Sequence, residues 1–206
     1  MLNVEYLSMA ELEAGMDYIR QAPSEHGTLK LIVRRPQEDQ RAVIDQGELS
    51  LTEGLVGDNW KSRGSNHTPD GSATLYSQIT VMNARCTALL AQSEDRWALA
   101  GDQLFVDFDL SEDNIPPGTR LAIGSAILEV SAEPHSGCKK FSARFGVEAM
   151  KSVEQLARVG HLEPRAVVLD EENRFARALV GQAHRDLGVR RGGCELPGVA
   201  QQVFQQ

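Results

Sequence analysis

The sequence predicts a mainly β fold with peripheral helices, of the α+β class. Three observations lead there. Stretches in which apolar and polar residues alternate recur from Thr28 to Leu169 and outnumber those with helical spacing. Pro116-Pro117-Gly118 and Gly124-Ser125 punctuate the alternating stretches as turns. The chain has 206 residues, 41% hydrophobic and 24% charged, the size and composition of one globular domain with a buried core. The reading is one domain over 1–206: an N-terminal helical extension at 1–27, a β core at 28–170 and an atypical, loose C-terminal segment at 171–206.

Charge and cysteine usage bound the function classes. The net charge of -8 argues against a general nucleic-acid binder and against an anionic membrane surface as partner. No apolar run approaches the ~20 residues of a membrane span. Met1-Leu2-Asn3-Val4-Glu5 lacks the basic and apolar regions of a secretory signal. Cys86, Cys138 and Cys194 are far apart, with no C-x-x-C, which suits a reducing compartment. A cytoplasmic protein is expected.

Taken in order, Ser8-Met9-Ala10-Glu11 is a capping box, with Leu7 and Leu12 at the staple positions. Leu12, Met16 and Ile19 share a face of a helix over about 9–21, ended by Pro23. Thr28 to Arg35 alternates, with Leu29, Leu31 and Val33 on one side of a strand that Pro36 stops. Arg41 to Ile44 is a second, shorter strand. Gly47 to Gly57 is acidic and turn-rich. It leads into Asp58-Asn59-Trp60-Lys61-Ser62-Arg63, where Asp58, Asn59 and Arg63 suit a pocket lined by hydrogen-bonding groups; the plainer account is an Asx-type turn with a surface ion pair. His67 is alone in a polar loop, with no second His at ligand spacing, so a zinc site is rejected.

Gln78 to Met82 is a strand. Met82, Cys86, Leu89 and Leu90 follow on one helical face, with Asn83 as N-cap and Cys86 as a small core residue. Leu104, Val106 and Phe108 mark another strand. Leu121–Ile123 and Ile127–Val130 flank Gly124-Ser125, a link of the type II′ hairpin kind. Phe145, Ala149, Val153 and Leu156 share a helical face that Gly146 starts or interrupts. Arg165 to Leu169 is a last strand, and Arg174 to Gln182 is read as a short helix. From His184 onward the tail, rich in Arg and Gly and then Gln, has no periodicity.

The chemistry centres on Ala132-Glu133-Pro134-His135-Ser136-Gly137-Cys138-Lys139-Lys140-Phe141. A thiol between a Ser-Gly turn and a helix, beside two lysines, is held out of an apolar interior. Neighbouring cations favour the thiolate, which attacks electrophiles and binds soft metals. The hairpin before it gives the thiol a rigid support. His135 is three residues away, which does not by itself place the imidazole on the sulfur. Hydrolase, dinucleotide and nucleotide motifs are absent from the sequence. Three roles stay open on chemistry alone: a persulfide carrier, a metal ligand and a nucleophile towards carbon.

Glu129 to Gly146, with Leu121–Val130 and Leu55-Val56-Gly57-Asp58-Asn59-Trp60 upstream, resembles MOSC domains, named after the C-terminal part of molybdenum-cofactor sulfurase. The likeness is to the small stand-alone bacterial members. It covers most of residues 28–150 and fades after Met150, where Arg165 to Leu169 either supplies the closing strand or the C-terminal part has been replaced. The resemblance implies a closed β-barrel core and a molybdenum cofactor (molybdopterin). It implies Cys138 as the molybdenum ligand in an oxidoreductase that removes oxygen from N-hydroxylated small molecules. It places the Gly-Asp near the cofactor cleft. Asp58, Asn59, Arg63, His135, Lys139, Lys140 and Arg144 are the expected cofactor-binding residues, the basic ones because Arg and Lys complement the cofactor's phosphate. The alternatives are a sulfur carrier or transferase with a persulfide on Cys138, and a non-catalytic module that binds a pterin or an anion. The expected partners are a small-molecule substrate and a separate electron-donor or sulfur-donor protein, with no nucleic acid and no membrane.

Overall fold

The capping box forms as the sequence predicts. Ser8 Oγ accepts the Glu11 N–H, and the Glu11 carboxylate accepts the Ser8 N–H at 2.8 Å. The Ser8 hydroxyl, 2.7 Å from the carboxylate, and then the Ser8 N–H hold the Glu11 carboxyl below its usual range. Helix α1 (Met9–Arg20) follows, burying Leu12 and Ile19 and packing Met16 beside them. The structure, a computed structural model, describes residues 6–66, 68–133, 138–158, 165–169, 176–179 and 186–190.

The sheet is built from the alternating stretches. In chain order the elements after α1 are β1 (His26–Arg34), β2 (Ala42–Ile44), β3 (Gln46–Ser50), β4 (Gly54–Leu55), α2 (Trp60–Arg63), β5 (Ile79–Asn83), α3 (Ala84–Ala91), β6 (Leu104–Asp107), β7 (Arg120–Ile123), β8 (Ala126–Val130), α4 (Lys139–Phe145), α5 (Val147–Arg158), β9 (Arg165–Leu169), β10 (Ala176–Leu179) and β11 (Asp186–Arg190). A 3₁₀ segment, Glu94–Ala100, precedes β6. One sheet runs β11-β7-β8-β9-β5-β6-β1-β2, and β11 also pairs with β1; β10-β3-β4 form a second sheet. β5 and β6 are parallel and therefore need a crossover, which α3 supplies. The Asn83 side chain accepts the Cys86 N–H at 3.0 Å and starts that helix, as predicted. Gly124, at φ +62°, opens the β7–β8 turn as the Gly-Ser link requires.

Alternation divides the apolar side chains into two layers. Ile32, Val81, Leu104, Val106, Leu121, Ile123 and Leu128 fill the inner face of the sheet. Val33, Met82 and Phe105 point the other way, to the layer under the helices, where they meet Leu12, Cys86, Leu90, Phe141, Phe145, Ala149 and Val153. Cys86 is thus the core residue the sequence suggests.

Several expectations are corrected. The closed β-barrel becomes a mixed sheet that curls back on its own first strand: β11 meets β1 only at His26, Gly27 and Thr28, while β2 takes the far end of β1. β1 does not keep one face throughout. Its pairing with β6 shifts between Leu29 and Leu31, a β-bulge, so Leu29 joins the inner layer while Leu31 and Val33 pack on the helix side. The turn-rich 47–57 stretch carries β3 and β4, because Gly47, Leu49 and Leu55 are buried in the second sheet despite their acidic neighbours. Within 174–182, Ala176–Leu179 is a strand on β3 rather than a helix. The tail expected to be loose contributes β11, paired with β7 and β1. These short pieces take their state from partners far away in sequence, which local periodicity does not register. Arg165–Leu169 is a strand, as predicted, between β8 and β5. The helical face expected from Phe145 to Leu156 is divided between α4 and α5 at Gly146, φ +97°, and the Leu156 side chain lies outside the described residues.

Candidate functional site

Cys138 is the N-cap of α4. Its backbone is extended and its Sγ accepts the Phe141 N–H at 3.4 Å. The residue is exposed. The short helix behind it is fastened on several sides. Phe141 and Phe145 are buried with ring centroids 5.0 Å apart. Arg96 donates to Ala91 O at 3.0 Å and to Arg144 O at 2.9 Å, and its guanidinium lies 5.5 Å from the Phe145 ring centre. One side chain thus satisfies last-turn carbonyls of both α3 and α4. The Tyr6 hydroxyl donates to Ala143 O at 2.9 Å, and its ring covers Gly146, where an added Cβ would lie 3.0 Å from Tyr6 Cγ. A thiol at the tip of such a helix has a fixed position without being buried.

The cations after Cys138 do not all turn to the sulfur. Lys140 Nζ bonds Glu38 at 2.7 Å and Asp39 at 3.0 Å. Arg144 donates from Nη2 to Asp39 at 3.2 Å and from Nη1 to Leu99 O at 2.9 Å. Lys139 is exposed. The Lys140 ammonium is held above its usual range by its bonds to Glu38 and then Asp39, and Lys140 in turn lowers Asp39.

Asp58 is tied to Arg35. Arg35 donates to its carboxylate from Nε at 2.9 Å, from Nη2 at 2.9 Å and from the backbone N–H at 2.8 Å. The Trp60 N–H donates a fourth bond at 2.9 Å. The two side chains are 7% and 0% exposed, so the pair is buried. Arg35 Nη1 also reaches Gly101 O at 3.0 Å. The Leu99–Gly101 turn is therefore a wall shared by Arg144 of the cysteine helix and Arg35, which follows β1 and holds Asp58 of the Gly-Asp loop. Arg41 lies at the same place, half-buried, with a Cβ on Gly101 falling 3.9 Å from its Nη2. Burial first, then repulsion from Arg144 and Arg35, lowers the proton affinity of Arg41, against the opposing pull of Asp39 and Asp58.

Arg34 Nε, Arg41 Nε, Asn59 Oδ1 and Trp60 Nε1 are buried and have no hydrogen-bond partner among the described residues. Such groups are costly unless something outside the chain satisfies them. Of the expected residues, the structure gathers Cys138, Lys139, Lys140 and Arg144 on one helix, connects Asp58 to them through Arg35, and sets Asn59 at the start of α2 with an unsatisfied acceptor. Arg63 is exposed at the end of α2, and His135 lies outside the described residues. Glu38, Asp39, Arg35, Arg41 and Arg96 were not singled out by the sequence. The Arg34-Arg35-Pro36 run at a strand end was the available signal for Arg35.

No protein-family model matches the chain, and comparison with the curated proteins finds no relative. Among solved structures, the YuaD protein from Bacillus subtilis aligns with a TM-score of 0.55 at 13% identity, over 80% of this chain and 94% of that one. The chain shares the fold of YuaD. YiiM from Escherichia coli aligns with a TM-score of 0.49 at 16% identity, over 85% of this chain and 75% of that one. No helix among the described residues is long and apolar enough to cross a membrane.

Proposed function

We propose that the chain is a MOSC-domain protein that holds a molybdenum cofactor at Cys138 and reduces N-hydroxylated small molecules. The observation that carries this reading is the exposed thiol at the tip of a fastened helix that also carries Lys139, Lys140 and Arg144, with Arg41 at the wall Arg144 reaches, its Nε buried and without a partner among the described residues. The YuaD-like fold supports it. The donor set fits the group: a thiolate is a soft ligand suited to such a metal, and the Arg and Lys side chains suit a phosphate. Cys138 would ligate the metal, and Arg41, Lys139, Lys140 and Arg144 would receive the phosphate. Asn59 Oδ1 and Trp60 Nε1 would accept from and donate to a polar ring. Asp58 acts indirectly, by fixing Arg35 against the Leu99–Gly101 wall.

When bound, the cofactor supplies a metal that accepts oxygen and cycles between oxidation states. The net reaction breaks the N–O bond of a hydroxylamine. Two electrons from a separate donor protein and two protons are consumed, releasing the amine and one water. The test is elemental and pterin analysis of protein made in a host that synthesises the cofactor. Stoichiometric molybdenum that is lost in Cys138→Ser is the expected result. A persulfide on Cys138 without metal would establish sulfur carriage instead, and tight pterin binding with neither metal nor persulfide a non-catalytic module.

A further inference from the structure

The turn before β2 places two carboxylates on the cations of the cysteine helix. Gln37 O accepts the Gln40 N–H at 3.2 Å, closing a turn that presents Glu38 and Asp39. Asp39 holds φ +60°, a left-handed conformation that Asp and Asn tolerate better than most residues. Glu38 and Asp39 both bond Lys140, and Asp39 also bonds Arg144. Lys140 is half exposed and the two acids more so, while Arg144 is 21% exposed. Such pairs are weak and exchangeable. Behind them the Arg41 guanidinium sits half-buried, its Nε unpartnered.

We propose that the Gln37–Gln40 turn is an acidic latch, in which Glu38 and Asp39 occupy Lys140 and Arg144 in the ligand-free chain and a phosphate-bearing ligand binds by displacing them. The proposal rests on the reading of Lys140 and Arg144 as anion-receiving groups and adds the regulation of that site. Carboxylate and phosphate oxygens satisfy the same N–H donors, so the exchange leaves no cation unpaired. The turn then tunes the affinity of the site without belonging to it.

The experiment is calorimetric titration of the full chain with inorganic phosphate at low ionic strength. The E38Q/D39N double variant keeps side-chain size, and Asn tolerates the left-handed backbone, so the turn is retained; a thermal melt checks the fold. The double variant is expected to bind phosphate about fivefold tighter than the parent, the order that surface ion pairs supply. Adding Lys140→Met is expected to remove most of the gain. Equal affinity of parent and double variant would overturn the latch while leaving the anion site standing. A gain that survives undiminished with both Lys140→Met and Arg144→Met present would overturn it too, because the carboxylates would then act through the general field and not by occupying Lys140 and Arg144. If no form binds phosphate, the anion site itself fails and the latch with it.

Discussion

Replacing Asp58 with Ala tests how the Gly-Asp loop serves the site. Its carboxylate accepts three bonds from Arg35 and one from the Trp60 N–H, and none of its side-chain surface is exposed. Removing it leaves the Arg35 guanidinium, 7% exposed, with only Gly101 O as a described partner. Breaking a buried pair from one side costs about 3–5 kcal/mol, because the remaining charge is uncompensated. In a protein of this size each kcal/mol moves the melting temperature by about 2–4 °C, so the variant should melt roughly 6–20 °C lower. Urea unfolding should show a lower midpoint at an unchanged slope. Replacing both partners, as Arg35→Met with Asp58→Leu, should recover much of the loss. A loss below about 1 kcal/mol in Asp58→Ala, accompanied by loss of bound molybdenum, would refute the argument: the carboxylate would then face a ligand and not Arg35.

Four further outcomes follow from the geometry. With Cys194 replaced by Ser, the native protein should show one fast-reacting thiol to a disulfide reagent, absent in Cys138→Ser, while Cys86 reacts only after unfolding. Cys138→Ser should change stability by less than about 1 kcal/mol by urea titration, since serine is itself a good N-cap. Arg96→Met should cost about 1–3 kcal/mol, through two lost bonds to helix carbonyls, and should make Cys138 labelling less uniform as α4 frays. The melting difference between the parent and Asp39→Asn should depend on pH. The Asp39 carboxyl is held below its ordinary 3.8, so its contribution is present above that value and is lost as pH falls through the lower, folded-state value. Lys140 is held above 10.5, so the same contact is complete below 10.5 and is lost as pH rises past the folded-state value.

The legible parts of this molecule were those with a local cause. The Ser8–Glu11 cap, the Asn83 cap, the Gly124-Ser125 turn and the exposed cysteine at a loop-to-helix junction are each specified by residues within a few positions of one another. What was not legible depended on distant partners. β10 and β11 are short, with one β-branched residue between them, and become strands because β3, β7 and β1 offer edges. Asp58 was a candidate from its Gly-Asp motif, but its partner Arg35 is 23 residues away, and no spacing rule joins them. The lysines after Cys138 suggested a cation on the sulfur; the Glu38–Asp39 turn that takes Lys140 is about a hundred residues upstream. The β-bulge was invisible for a similar reason, since it is a property of a pair of strands and not of β1 alone.

That bulge has a counting consequence. Leu31 and Val33 share one side of β1 because they are two apart, and the extra residue at Lys30 sets that side opposite to Leu29's. Parity upstream of Lys30 is opposite. Deleting Lys30 would remove the extra residue and leave the faces unchanged, because Leu29 and Leu31 already oppose the consecutive residues Val106 and Phe105. The bulge thus gives β1 one residue of slack, and losing that residue leaves Arg35 on the side where Asp58 meets it.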